Sequence, residues 1–252
     1  VTNEFSSLGW FLVGVIGLTV LQRRLHYEIQ AVLYLLTKRV DLVLTIFAIL
    51  FLPGVLIHEL SHYLMARLLN VPVGRLSLVP QPMANGRLRL GYVETGSTDF
   101  FRDALIGAAP LITGSIFVAY AGLVHLEFSS FWVQLSTGDF SSISAAGSTF
   151  VNQADFWIWF YLIFVISSTM FPSATDRRAW SPILLTVGVV VALVLIAGAG
   201  PWLWENFGAT LLGFVHLLSQ IFIISAIAHL FLLPFFWLMR IGLSRVFQVR
   251  VV

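Results

Sequence analysis

Long apolar runs separated by short polar joints dominate this chain, and the runs have the length of membrane-crossing helices. Six are evident, at about residues 8–21, 42–69, 104–126, 156–171, 182–199 and 211–239. The first is short, but it lacks a basic leading segment and a small-residue cleavage site, so it reads as a retained span and not a signal peptide. A polar joint, Arg23 to Arg39, follows it, and the brief apolar stretch 29–36 within that joint predicts an interfacial helix. One region breaks the helical pattern. Arg75-Leu76-Ser-Leu-Val79 and Arg87-Leu88-Arg-Leu-Gly-Tyr-Val93 alternate apolar and polar positions around Pro80-Gln-Pro-Met-Ala-Asn85-Gly86, which predicts a β-hairpin with a loose turn. Residues 127–155 are rich in Ser and Gly and carry no Lys or Arg. The expected fold is an all-α polytopic membrane protein of about six transmembrane helices, with a small membrane-associated β-hairpin after the second span. No repeat or low-complexity linker divides it, so 1–252 reads as one domain.

Composition agrees. The 252 residues are 58% apolar and 10% charged, and the mean hydropathy is +0.92, so the lipid bilayer is the expected surrounding. A net charge of +2, scattered between apolar runs, gives no basic stripe and no expectation of nucleic acid. The absence of Cys excludes disulfides and thiolate metal sites. Arg67, Arg75, Arg87, Arg89, Arg102, Arg177, Arg178, Arg240, Arg245 and Arg250 fall on one side of the six-span scheme, against Arg23, Arg24, Lys38 and Arg39 on the other. The positive-inside rule then predicts cytoplasmic N- and C-termini and a cytoplasmic hairpin.

Chemistry concentrates at the end of the second run, in His58-Glu59-Leu60-Ser61-His62. Residues four apart share a helix face, so His58 and His62 can aim at one metal while Glu59 stands beside them as candidate general base. Ionisable groups at membrane depth are costly without partners, which gives this short pattern more weight than in a soluble chain. A catalytic zinc needs about three protein ligands and an open position. Candidates for the third are Asp176, His125, His216, His229, Glu94, Asp99 and Asp103. Asp176 follows Pro172 at the end of the fourth run, where an unwound backbone can turn a carboxylate inward; an ordinary ion pair with Arg177 or Arg178 is its competing reading. His216 and His229 read as interhelical hydrogen-bond partners, and His26 and His125 as surface groups.

These features resemble the site-2 protease family of intramembrane zinc metalloproteases. The parts that carry the resemblance lie in order over about residues 40–180: the His58–His62 motif, the hairpin, Gly107-Ala-Ala-Pro110-Leu-Ile-Thr113-Gly114, and Ser167 to Asp176. Thr113 or Gly114 stands where the family commonly has Asn, and Arg177-Arg178 stand where it has glycine. The resemblance implies a Zn2+ held by His58, His62 and Asp176, with Glu59 as catalytic base. The implied activity is hydrolysis of peptide bonds in single-span membrane proteins, whose helices must unwind locally to expose a carbonyl. It also implies a docking edge on the hairpin, with Arg75, Leu76, Arg87 and Leu88 as candidate substrate contacts. A bacterial plasma membrane, or an organelle membrane of bacterial descent, fits such a protein. A non-proteolytic subunit of a larger membrane complex on the same fold is the alternative. A metal transporter or a diiron oxidase fits poorly, because the chain has only six His and no carboxylates along several spans.

Overall fold

The computed structural model describes residues 2–82, 88–128, 133 and 139–248. The Asn85-Gly86 turn, Arg87 and Arg250 lie outside them. In chain order the elements are α1 (Thr2–Thr37), α2 (Val40–Leu68), β1 (Val73–Ser77), β2 (Gln81–Pro82), β3 (Leu88–Arg89), β4 (Tyr92–Thr95), α3 (Phe100–Ala119, continued by a π-helical stretch Tyr120–His125), α4 (Phe140–Val151), α5 (Phe156–Thr169), α6 (Trp180–Ile196) and α7 (Gly200–Phe247). Among the described residues, four helices are long and apolar enough to cross a membrane: Ser7–Thr37 of α1, α2, Phe100–His125 and α7. The two other expected spans are the apolar helices α5 and α6, of 14 and 17 residues, short of the ~20 that a crossing needs.

Two expectations about the first span are overturned. The stretch Arg23 to Arg39 is not a polar joint; α1 runs through most of it as one helix to Thr37. Glu28 is buried with arginine partners, while Arg23 and Arg24 sit on the exposed face of the helix, so the helix accommodates its charges without ending. Arg24 pairs with Glu28 one turn on, at 2.7 Å, and the fully buried Glu28 also meets Arg240 of α7 at 2.5 Å. Both guanidinium groups lie over the Tyr27 ring, 5.2 and 6.0 Å from its centroid. His26, expected at the surface, packs edge-on against Phe47 and Phe51.

The same contacts bear on orientation. Ser7 meets Ser219, Phe11 meets Phe222, Glu28 meets Arg240 and Lys38 meets Phe247, so α1 and α7 run parallel. Thr2 and Phe247 therefore stand at opposite ends of this helix pair, not at the shared face expected for the termini. Arg24 and Arg240, engaged with Glu28, are not loop charges, and the count that favoured a cytoplasmic N-terminus loses them. Residues 200–209, expected as a loop, form the start of α7, with Pro201 in the first turn, where a missing N–H costs no intrahelical bond.

The hairpin forms as expected, with a longer reach. β1 pairs antiparallel with β4, Val73 opposite Thr95 and Ser77 opposite Tyr92, and β2 pairs with β3 nearer the turn. Inside the bundle α2 and α5 run parallel, with Tyr161 donating to the Leu50 carbonyl at 2.7 Å and Phe51 against Phe164. The helix continues through Pro53. Gly54 lets α5 come close: a Cβ there would strike the Val165 carbonyl and lie 2.6 Å from Thr169 Oγ1. Small residues at such contacts hold helices together in lipid, where apolar burial alone gives no preference.

Candidate metal centre

Four elements meet at the lower end of α2. The helix itself presents His58 and His62 on one face, with Glu59 buried beside them. The loop after α5 brings Asp176, α3 brings its second turn, and the hairpin covers the opening. His58, His62 and Asp176 form a group that can hold a metal ion, with potential ligand atoms within 4.8 Å of one another. The His58 and His62 Nε2 atoms are 3.2 Å apart, and Asp176 Oδ1 and Oδ2 lie 3.5 Å from His62 Nε2 and 3.9 Å from His58 Nε2.

Hydrogen bonding to the far side of each ring fixes what faces inward. His58 Nδ1 donates to the Thr169 carbonyl at 2.7 Å, and His62 Nδ1 donates to the Ile106 carbonyl at 2.8 Å. A carbonyl only accepts, so both Nδ1 atoms carry a proton and the Nε2 atoms are the ones that face inward. Two Nε2 atoms 3.2 Å apart, with a carboxylate beside them, call for a shared proton or a metal ion between them. The spacing suits a metal ion: ligands about 2.05 Å from a tetrahedral zinc lie about 3.3 Å from each other. Imidazole, imidazole and carboxylate are also the donors that zinc takes, and main-chain carbonyls behind the rings, as at Thr169 and Ile106, are what orients ligating histidines.

Local sequence explains why these acceptors are free. In a helix the carbonyl of residue i takes the N–H of residue i+4. Ile106 would be served by residue 110, which is proline and has no N–H. Thr169 would be served by Ser173, whose N–H donates instead to Asp176 Oδ2 at 2.7 Å. Ser168 would be served by Pro172, and Gln22 Nε2 takes that carbonyl at 2.5 Å. Asp176 is thus held through Oδ2, leaving Oδ1 toward His62.

The remaining candidates for third ligand are occupied elsewhere. Asp103 forms a two-pronged pair with Arg178, at 2.7 Å for both contacts, and this neighbour keeps the guanidinium more firmly protonated than usual. Arg178 is therefore the partner of Asp103, not of Asp176. Asp99 caps α3, accepting from the Arg102 and Phe101 N–H groups at 3.0 and 3.1 Å, which lowers its pKa. Glu94 Oε2 lies 3.3 Å from the Arg75 main-chain N. His229 accepts from Ser168 Oγ at 2.8 Å and donates to the Ser225 carbonyl at 2.8 Å, the interhelical role its sequence suggested. The His125 ring lies tilted against Trp159, and His216, expected to bond between helices, instead lies 3.4 Å from Gln220 one turn on in its own helix.

A cavity of about 980 Å³ opens on the group, lined by His58, Glu59, His62 and Asp176 and, from the hairpin, by Leu90 and Gly91. Gly91 lies directly on Glu59: a Cβ there would be 2.9 Å from Glu59 Cγ and 3.1 Å from Oε1. Of the two hairpin arms it is the returning one that flanks the site, while Arg75 and Leu76 on β1 are exposed. No side-chain placement is described for Leu88, and Arg87 is outside the described residues. Sequence reasoning missed Gly91, Thr169 and Ile106. For the last, the signal was present in Pro110, four residues on. Compared with known family models, curated proteins and solved structures, the chain matches none.

Proposed function

We propose that this chain is a zinc-dependent endopeptidase of the membrane that hydrolyses peptide bonds in or near the transmembrane segments of substrate proteins. What carries the reading is the pair of inward-facing Nε2 atoms of His58 and His62, with Asp176 beside them and Glu59 buried next to the same cavity. When bound, zinc supplies Lewis acidity toward a substrate carbonyl and toward water. The proton transfers fall to Glu59, which takes a proton from the attacking water and returns it to the departing amine nitrogen. Thr169 and Ile106 hold the imidazoles in the tautomer that ligation needs. The β3–β4 arm at Leu90 and Gly91 provides main-chain groups beside Glu59, where an unwound substrate segment can be held in extended form. Single-span proteins with a weak helix near this end of the bundle are the substrates that such a site suits.

A non-proteolytic subunit of a larger membrane complex is the second reading, and one observation favours it: the hairpin lies against Glu59, where substrate must enter. The test is zinc content of the purified chain, wild type against Asp176→Ala, with cleavage of single-span substrates assayed beside Glu59→Gln. One equivalent of zinc in wild type, lost in Asp176→Ala, and cleavage lost in Glu59→Gln support the protease. Zinc without cleavage supports the subunit. The absence of both zinc and cleavage in the wild type overturns the metal reading.

A further inference from the structure

The segment Gly107-Ala-Ala-Pro110 looks from its sequence like a stripe of small residues for helix packing, but its position gives it a sharper role. Pro110 has no N–H, so the Ile106 carbonyl one turn earlier lacks its helical donor and stands free. That carbonyl takes the Nδ1 proton of His62 at 2.8 Å. The next residue, Gly107, presents a bare Cα to the main chain of Asp176: a Cβ at this position would collide with the Asp176 carbonyl oxygen and come within 2.8 Å of its carbonyl carbon. Two adjacent residues of α3 therefore meet two of the three ligands. The same face fixes the rest of the loop. Asp103 holds Arg178 through two contacts of 2.7 Å, and the Ala104 carbonyl accepts from Trp180 Nε1 at 3.3 Å.

We propose that Gly107 and Pro110 are positioning residues for the metal: Pro110 releases the Ile106 carbonyl that orients His62, and Gly107 admits the Asp176 main chain to ligand distance. This rests on the metal reading of the site. It gives the glycine and the proline chemical duties that packing alone does not require. Ala is among the best helix formers and restores an N–H at 110, so Pro110→Ala strengthens α3 as a helix while returning the Ile106 carbonyl to it. Stability and metal affinity then move in opposite directions, which a merely structural proline would not produce.

The experiment titrates the purified full chain in detergent with Co2+, reading the visible absorption bands that report ligand number, and measures zinc affinity by competition with a chelator. Thermal unfolding of the metal-free proteins is followed in parallel. Pro110→Ala is expected to keep or raise the metal-free unfolding temperature and to weaken zinc binding about 10- to 100-fold, the usual effect of removing an outer-shell partner. Gly107→Ala is expected to weaken binding at least as much and to alter the Co2+ bands, because it displaces Asp176. It also gives an independent arm should Pro110→Ala fold poorly. Asp103→Asn and Arg178→Gln are expected to cost affinity equally, with the double variant no worse than either single. Wild-type affinity and spectrum in both Pro110→Ala and Gly107→Ala overturn the inference alone. Failure of the wild type itself to bind Co2+ or zinc overturns the metal reading beneath it.

Discussion

His58 donates its Nδ1 proton to the main-chain carbonyl of Thr169, 111 residues away and 2.7 Å distant. That bond ties the motif-bearing helix to the end of α5, from which the loop carrying Asp176 departs. The tie depends on how closely α2 and α5 approach, and Gly54 sets that distance.

Gly54→Val should therefore disturb the site from a full turn away. Added carbons would meet the Val165 carbonyl and push Thr169 from His58. Overpacking of this kind typically costs about 1–3 kcal/mol. The expected result is a lower unfolding temperature together with reduced zinc affinity, read from thermal denaturation and chelator competition. Unchanged affinity would separate helix packing from ligand orientation.

Glu59, buried beside the His58–His62–Asp176 group, is the base of the proposed reaction and not one of its proposed ligands. Glu59→Gln is expected to retain zinc at wild-type stoichiometry and to lose roughly 10²- to 10⁴-fold in turnover, the usual contribution of a placed proton-transfer group. Metal analysis and single-turnover cleavage of a single-span substrate measure the two quantities separately. Loss of zinc in this variant would make Glu59 a ligand and require another base.

The hairpin contact at Gly91 gives a different signature. A methyl group there lies 3.0 Å from Val55 Cγ1 and 2.9 Å from Glu59 Cγ, so Gly91→Ala moves the base or lifts the strand. Small misplacements of reacting groups can cost on the order of 10²-fold. Cleavage should fall about tenfold or more with zinc content unchanged. Normal cleavage would mean that the strand rests on Glu59 only in the substrate-free protein.

Glu28 is a test of the fold and not of the site. It is fully buried between Arg24 and Arg240, and Glu28→Ala strands the partly buried Arg240. Removing one partner of a buried pair typically costs about 3–5 kcal/mol. The expected outcome is a large fall in unfolding temperature, largely recovered when Glu28→Met is combined with Arg240→Met, since an apolar replacement leaves no uncompensated charge. A single variant as stable as wild type would show that water or lipid headgroups reach this position.

The sequence by itself determined the class of protein, the main helices and the two histidines with their neighbouring carboxylate. These follow from local rules: apolar runs of membrane length, alternation around a turn, and ligands spaced by one helical turn. Asp176 was legible as a candidate because Pro172 ends α5 before it, though its competing pairing with Arg178 could be settled only by placing Asp103 opposite that arginine. The structure alone decided that α1 continues from Arg23 to Thr37, because Glu28 finds its buried partner 212 residues away on α7. The parallel course of α1 and α7 is likewise a property of packing and not of any single run. Tertiary structure also chose the groups that orient the rings. Ile106 and Thr169 are ordinary apolar and hydroxyl residues whose side chains announce nothing; their contribution is a main-chain carbonyl left free by a neighbouring proline or a diverted N–H, and such an acceptor acquires a role only when a distant histidine is folded against it.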